Sequence, residues 1–242
     1  MINKIFDNIK TLAIALIIAL LIRSLLFQPF YIPSSSMEPT LLVGDRIFVS
    51  KYTYGYSKHS FPFSPPILSN RIFNSKPNYG DLVVFKTPSD NRTDFIKRLI
   101  GLPGDEIQII NEQLFINKKK IFKNKINISQ KIRCAGNDIE TIIYEEELPN
   151  KKLYKTAYSK IGSMKNSDKY IVPDNHYFFL GDNRDCSSDS RYLTNVGYVH
   201  QNNLVGKARI IFFSNDTKEG SVLKFWNWGN SIRLTRFFKT LK

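Results

Sequence analysis

Three consecutive serines at positions 34–36 are the first residues whose types could do chemistry. They lie in the stretch 33–41 (PSSSMEPTL), whose two prolines favour extended conformations in the residues before them. In an extended chain, Ser34 and Ser36 project from the same face, so one could attack a carbonyl while the other donates a hydrogen bond. The same composition is also typical of a serine-rich linker between an anchor and a domain. A nucleophile therefore requires a base elsewhere in the chain.

A candidate base lies in the stretch 94–100 (DFIKRLI). Strand alternation places Lys97 on the same face as Phe95 and Leu99. Burial among apolar side chains can lower the pKa of a lysine from about 10.4 by several units, and a neutral lysine can accept a proton from a serine. The alternative is a lysine that extends out of a half-buried strand into solvent.

A third polar stretch, 181–191 (GDNRDCSSDSR), directly follows the apolar run 177–180. Its charged and hydroxyl residues predict an ordered loop held by internal ion pairs and by side-chain to backbone hydrogen bonds. Asp182, Asp185 and Asp189 could also offer oxygens to calcium. Arg184 and Arg191 inside the same stretch argue against a cation.

The composition disfavours nucleic-acid and metal-binding proteins. Lys and Arg number 35 against 21 Asp and Glu, a net charge of +14, but the lysines are scattered among Asn and Ile and are not set on one helix face. The three histidines are too far apart in sequence for a short metal-ligand motif, so we expect no metal. For Cys134 and Cys186, two unrelated thiols are the default and a disulfide is possible but not indicated.

The only long apolar run, 12–22, extends over 5–27 and is long enough to cross about 30 Å of hydrocarbon as a helix. No small-x-small pattern follows it, so we predict an uncleaved membrane anchor and not a signal peptide. Lys4 and Lys10 place its first end in the cytoplasm, although Arg23 on the other flank weakens that assignment. An extended chain from Arg23 to Ser36 spans at most about 45 Å, which keeps the serine near the bilayer surface.

The remaining sequence favours strands, and we predict a mostly β fold. Proline-rich composition predicts a loop over 55–79, and turn chemistry predicts a tight turn from Gly101 to Asp105. The segments 106–110 and 113–116 are predicted to form a hairpin. The segments with strand composition are 46–54, 82–85, 94–100, 170–180 and 205–213.

The domain prediction divides the chain into three parts. Residues 1–27 form the cytoplasmic tip and single transmembrane anchor, and 28–116 with 171–242 form an antiparallel β catalytic domain. Residues 117–170 are polar, rich in Lys and Asn and irregular, and we expect them to form an inserted smaller β-rich subdomain. The aromatic and basic segment 225–242 could rest on an anionic membrane or form a last strand with a solvated tail.

The stretches PSSSMEPTL, FIKRLIGLPGD and GDNRDCSSDSR, in this order behind an apolar run, closely resemble the sequence boxes of bacterial type I signal peptidases. The resemblance implies a membrane-bound serine endopeptidase that removes signal peptides from exported preproteins at small-x-small sites. It implies no cofactor and no metal, with preproteins and membrane lipid as partners and no nucleic acid. It further implies a single-pass protein of the bacterial inner membrane, with its catalytic domain on the periplasmic or extracytoplasmic side.

The resemblance also implies roles for individual residues. Ser36 matches the nucleophile and Lys97 the general base, while Cys186 stands where the family commonly has Asn. A membrane-anchored β domain that binds partners without catalysis is the alternative, and the intact catalytic-type residues argue against it. The other matches are Ser34 for the oxyanion hole, Ser187 for orienting the lysine amine, Asp182, Asp189 and Arg191 for bracing the third box, and Ile32, Pro33 and Ile96 for the walls of small S1 and S3 pockets.

Overall fold

The structure is a computed structural model that describes residues 2–134, 136–216 and 228–241. Its helices and strands, in chain order, are α1 (Ile2–Leu21), β1 (Phe27–Tyr31), β2 (Asp45–Ser50), β3 (Leu82–Lys86), β4 (Asp94–Gly101), β5 (Glu106–Ile110), β6 (Gln113–Ile116), β7 (Lys119–Lys120), β8 (Phe122–Cys134), β9 (Asn137–Glu147), β10 (Leu153–Ser159), β11 (Tyr170–Ile171), β12 (His176–Leu180), β13 (Val199–His200), β14 (Leu204–Ser214), α2 (Trp228–Ser231) and β15 (Lys239–Thr240).

The predicted apolar helix is present. α1 continues into a π-helical turn, Ile22–Leu26, and the run Lys4–Leu26 is long and apolar enough to cross a membrane by length and composition. Only 6% of its most apolar window is buried, whereas a core helix of a soluble protein would be mostly covered. The helix is therefore consistent with a membrane anchor, and its orientation stays a prediction.

The main sheet within the described residues has eight strands, in the order β1-β2-β14-β3-β4-β12-β13, with β15 paired to β14. All of its neighbouring strands are antiparallel. β-branched residues on alternate positions build this sheet, since Ile47 and Val49 of β2 point into one core cluster with Val84 of β3. The mostly β, antiparallel fold predicted from the sequence is confirmed.

Two smaller antiparallel sheets complete the described fold, one in the order β10-β9-β8 and one in the order β11-β5-β6-β7. The predicted hairpin is confirmed, because Ile110 pairs with Gln113 across a turn in which Asn111 and Glu112 have φ of 50° and 63°. The Lys- and Asn-rich segment is not irregular: β8, β9 and β10 form regular strands. Their inward alternation gathers only a small core, Ile132, Ile143 and Ala157.

Two other expectations differ from the structure at their ends. The strand predicted over 46–54 stops at Ser50, and Tyr52–Tyr54 forms a 3₁₀ turn. This turn brings the buried Tyr54 hydroxyl to Asp81, where it donates at 2.9 Å. Of the aromatic segment 225–242, residues 225–227 and 242 lie outside the described residues, while β15 pairs with β14 as a last strand.

Candidate active site

Ser36 lies in a single 3₁₀ turn, Ser35–Met37, between β1 and β2. The expectation of an extended segment holds for Ser34, whose φ and ψ are −129° and 157°, but not for the turn that follows. The turn buries Ser36 and still brings the Ser34 and Ser36 hydroxyl oxygens to 3.4 Å. The two hydroxyls therefore share one side of the segment, as predicted, through a different backbone conformation.

Lys97 reaches Ser36 from β4. Its Nζ donates to Ser36 Oγ at 2.6 Å, a contact between residues 61 positions apart in sequence. The side chain is 3% exposed and lies on the apolar face predicted by strand alternation, with Nζ 5.3 Å from the centroid of the Phe95 ring and with Leu99 fully buried. The sequence placed the lysine on this face, and the structure supplies its hydroxyl partner.

Burial sets the protonation of this lysine. Desolvation lowers the pKa of Lys97 to about 8, against the opposing effect of the negative charges of Asp189 and Asp182. The positive charge of Arg191 acts in the same direction as burial. An amine with this pKa is neutral in a useful fraction of molecules near neutral pH.

The third polar stretch is the ordered loop that its composition predicts. Arg191 forms a bidentate ion pair with Asp189 at 2.8 Å for both contacts, and Asp189 also accepts from the Gly181 N–H at 2.9 Å. Asp182 forms a second bidentate pair, at 2.7 Å for both contacts, with Arg98 of β4. Asp182, Asp189 and Arg191 thus lie behind the serine and the lysine, and they fix the loop by charge-assisted hydrogen bonds.

Ser187 lies close to the Ser36 backbone, on the same side of Gly181. Its hydroxyl is buried and has no hydrogen-bond partner within the described ranges. A Cβ atom at Gly181 would lie 2.2 Å from Ser187 Oγ and 2.6 Å from the Ser36 carbonyl oxygen, so only glycine permits this approach. The loop is held close to Ser36 by the Asn183 N–H, which donates to the Ser36 carbonyl at 3.1 Å.

The default of two unrelated thiols was wrong. Cys134 at the end of β8 and Cys186 in the third stretch form a disulfide, with Cα atoms 5.6 Å apart. Ser35, the first residue of the turn that carries Ser36, contacts this region, because its hydroxyl donates to the Arg133 carbonyl and contacts the Cys186 sulfur. The sequence offers no signal for this pairing, since it depends on where β8 ends in space.

A buried network that the sequence did not predict connects the third stretch to the sheet of β8, β9 and β10. Arg184 donates to both carboxylate oxygens of Glu146, at 3.0 and 2.6 Å, and to the hydroxyls of Tyr154 and Tyr158. Burial raises the pKa of Glu146, but the charge of Arg184 and these hydrogen bonds outweigh it and leave the pKa lowered. The only sequence signal for this network is strand alternation, which places Glu146 on the opposite face of β9 from Glu145 and Glu147.

A cleft of about 450 Å³ opens onto Ser36 and Lys97. It lies between the edge strand β1 and the first residues of β4, and its walls are largely apolar. The residues predicted from the sequence that line it are Ile32, Pro33, Ser34, Ser36, Ile96 and Lys97. An apolar groove ending at a hydroxyl and a buried amine can hold an extended peptide and attack its carbonyl.

Comparisons with known proteins point to one family. The family described as "Signal peptidase, peptidase S26" matches residues 5–213. A "Signal peptidase I" of Rickettsia rickettsii (strain Sheila Smith) is 42% identical over 246 residues, which cover 95% of this chain and 90% of the relative. One of Rickettsia massiliae (strain Mtu5) is 43% identical over 241 residues, which cover 93% and 88%. A solved signal peptidase I from Enterococcus faecalis V583 is 26% identical, with a TM-score of 0.33 over 55% of this chain and 97% of that one.

Proposed function

The chain belongs to the signal peptidase family, peptidase S26, and we propose that it is a serine peptidase that removes signal peptides from exported preproteins. We further propose that Ser36 is its nucleophile and Lys97 its general base. One observation carries the proposal: Lys97 Nζ lies 2.6 Å from Ser36 Oγ in a buried contact at the end of an apolar cleft. A domain that only binds partners has no need of this pair.

Because its pKa is lowered, Lys97 can act as the base near neutral pH. With a pKa of about 8, about a tenth of the molecules carry a neutral amine at pH 7, against about one in three thousand at the ordinary lysine value. In the neutral form, the Ser36 hydroxyl donates to the Nζ lone pair and transfers its proton as Oγ attacks the scissile carbonyl. The ammonium then gives that proton to the leaving amine, the C–N bond breaks and an acyl-enzyme remains.

Hydrolysis of the acyl-enzyme uses the same two groups. The neutral Lys97 amine takes a proton from a water molecule, the resulting hydroxide forms a bond to the acyl carbon, and the ester bond to Ser36 Oγ breaks. The proton returns to Ser36 Oγ, and the carboxylic acid product leaves. No group other than Ser36, Lys97 and water exchanges a proton in this scheme.

Charge that develops on the carbonyl oxygen requires hydrogen-bond donors at its position. We assign this role to the Ser34 hydroxyl and the Ser36 backbone N–H. Ser34 Oγ lies 3.4 Å from Ser36 Oγ, and its exposed side chain lines the cleft. Ser187, buried next to Gly181, is proposed to orient the lysine amine once substrate closes the cleft.

The cleft supports a substrate in extended conformation. β1 is an edge strand, so an extended peptide can add to it and place alternate side chains against Ile32, Pro33 and Ile96. Apolar walls this close to the serine accept Ala, Gly or Ser and clash with larger side chains, which is the basis of small-x-small selection. α1 keeps this cleft near a bilayer that still holds the apolar part of the signal peptide.

The location of the chain is part of the same proposal. We propose that α1 crosses the bacterial inner membrane once, with its N-terminus in the cytoplasm and the β domain on the extracytoplasmic side. We likewise propose that 28–116 with 171–242 form the catalytic domain and that 117–170 form the inserted subdomain. Since Arg184 and Cys186 connect the third stretch to β9 and β8, the inserted part would support the catalytic part from behind.

The test is cleavage of a preprotein with an A-x-A site by the full chain in detergent. We expect Ser36→Ala and Lys97→Ala to abolish cleavage, and the matched control Ser35→Ala, which removes the neighbouring buried hydroxyl, to retain most of it. Unfolding midpoints near that of the wild type would show that all variants fold. Cleavage by Ser36→Ala at the wild-type rate, or no cleavage by the wild type, would favour a binding domain without catalysis.

A further inference from the structure

A second cavity, of about 510 Å³, lies where the anchor joins the β domain. Its walls come from the π-helical turn after α1, from β1, from the 3₁₀ turn Lys58–Ser60 and from the hairpin between β3 and β4. Ser36 and Lys97 do not line it. The peptidase activity therefore gives this cavity no role.

The lining of this cavity is cationic. Arg23, Lys58, Lys86 and Arg92 stand against two carboxylates. Asp94 already pairs with Lys86 at 2.8 Å, and the second carboxylate, Asp90, accepts hydrogen bonds from its own loop. Across the described ranges, Arg23, Lys58 and Arg92 have no ion-pair partner. Three cations around one cavity attract an anion.

A buried donor on the cavity wall points to the kind of anion. The His59 side chain is 4% exposed, and its Nε2 has no hydrogen-bond partner in the part of the chain that the structure describes. Its Nδ1 lies 2.9 Å from the Ser64 hydroxyl. When that hydroxyl donates to Nδ1, Nε2 carries a proton and can donate to a phosphate oxygen. Burial, with the positive charge of Lys58 and its neighbours, lowers the pKa of His59 to about 4, so the ring is neutral at pH 7.

The position of the cavity limits the source of the anion. Arg23 belongs to the last turn of the anchor, and the loop that carries His59 is fastened to the same point, since the Tyr56 hydroxyl donates to the Leu25 carbonyl at 3.0 Å. Phe63 on the cavity wall is fully exposed, and Phe73 of the same loop is 82% exposed. Exposed Phe side chains next to a membrane helix can bury their rings at the boundary between headgroups and acyl chains.

We propose that this cavity binds the phosphate of an anionic phospholipid headgroup, with the acyl chains lying along α1 and with Phe63 inserted beside them. Arg23, Lys58 and Arg92 supply the charge, and His59 Nε2 supplies a neutral hydrogen bond. A bound lipid would fix the β domain at one height above the bilayer. The site requires α1 to lie in the membrane, and it does not require Ser36 or Lys97 to act.

The test uses the full chain purified in a neutral detergent. Retention of added phosphatidylglycerol is measured by native mass spectrometry and compared with phosphatidylcholine of the same acyl chains. We expect the wild type to retain phosphatidylglycerol, and the double variant Lys58→Gln/Arg92→Gln to retain it about 25-fold less, since each basic residue near an anionic lipid contributes about fivefold. The control Lys120→Gln/Lys155→Gln removes the same charge from exposed positions on the smaller sheets and should match the wild type.

Each other outcome has a defined meaning. Equal retention of the two lipids, or equal loss in the two double variants, would overturn the site, because only general surface charge would be acting. Displacement of the lipid by an equal concentration of inorganic phosphate would overturn the lipid as the ligand and leave a free-phosphate site. Unchanged preprotein cleavage by Lys58→Gln/Arg92→Gln in detergent would show that the variant is folded, and this outcome is independent of the lipid result.

Discussion

Two buried lysines, Lys97 on β4 and Lys51 directly after β2, differ in their surroundings, and the difference separates the proposed base from an amine with a structural partner. Burial lowers the pKa of both to about 8. Lys97 Nζ bonds to the Ser36 hydroxyl, whereas Lys51 Nζ donates to the His59 carbonyl at 3.2 Å. A carbonyl has no proton to transfer. A lowered pKa therefore identifies a buried amine, and the partner decides its chemistry.

The two lysines also differ in access and in nearby charge. Lys97 lines the peptide cleft, while Lys51 lies under the loop that carries His59 and lines neither that cleft nor the cationic cavity. Asp94 opposes the lowering of the Lys51 pKa and nearby cations add to it, whereas two carboxylates oppose the lowering at Lys97. The same pKa thus arises from different balances of burial and charge.

Replacing each lysine by methionine gives the largest expected contrast. We expect Lys97→Met to lower kcat/KM for preprotein cleavage by about 10²–10⁴-fold, because it removes the proton acceptor. Lys51→Met removes an amine of equal pKa away from the substrate and should leave kcat/KM within about twofold. Steady-state cleavage in detergent measures both. Equal losses in the two variants would mean that buried lysines support the fold and that Lys97 has no special part in catalysis.

The next contrast concerns two ion pairs of β9, because Glu146 holds the third polar stretch through its buried pair with Arg184. We expect Glu146→Gln to lower the free energy of unfolding by about 3–5 kcal/mol, since it leaves the charge of Arg184 buried without a counter-ion. Glu147→Gln is the control, because its partner Lys151 is exposed and such pairs contribute little. Denaturant unfolding in detergent measures both, and similar midpoints would contradict a bracing role.

The pH dependence of cleavage separates the two lysines again. We expect kcat/KM to rise about tenfold per pH unit below pH 8 and to level above it, as the Lys97 amine, with a pKa of about 8, loses its proton. Lys51→Met should show the same profile, although Lys51 titrates in the same range. A rise only near pH 10.5, or a profile that shifts in Lys51→Met, would assign the titration to another group.

What the sequence predicted well is local in origin. Strand alternation placed Lys97 on an apolar face, and turn chemistry predicted the hairpin around Asn111. The disulfide, the Arg98 pair with Asp182 and the Glu146 pair with Arg184 depend on which distant segments lie side by side. Alternation alone does not determine that.

The segment 117–170 is β-rich as predicted, but the individual strands β8, β9 and β10 were not predicted, for a related reason. Its outward positions carry Lys, Asn and Glu, and its inward positions supply a core of only a few residues. The hydrophobic periodicity that indicates a strand is therefore weak along the segment. The sheet is joined to the third stretch by contacts between distant segments, such as Arg184 with Glu146.

The smallest expected effect concerns stability, in which the two lysines should behave alike. A folded-state pKa of about 8 against the ordinary 10.5 means that, between these values, the unfolded chain holds a proton that the folded chain has lost, so stability rises with pH. We expect Lys51→Met to raise the unfolding midpoint at pH 7 by about 2–4 °C, because it removes the cost of burying a charged amine. The increase should shrink toward pH 10.5.

Lys97→Met should show the same stabilisation while it lowers kcat/KM about 10²–10⁴-fold. Thermal unfolding in detergent at pH 7 and pH 10 measures both variants beside the wild type. If Lys51→Met instead lowers the midpoint at every pH, its hydrogen bond to the His59 carbonyl outweighs the burial of its charge. If only Lys97→Met raises the midpoint, burial of Lys97 lowers the stability of the chain and burial of Lys51 does not. The two lysines would then be alike only in their pKa.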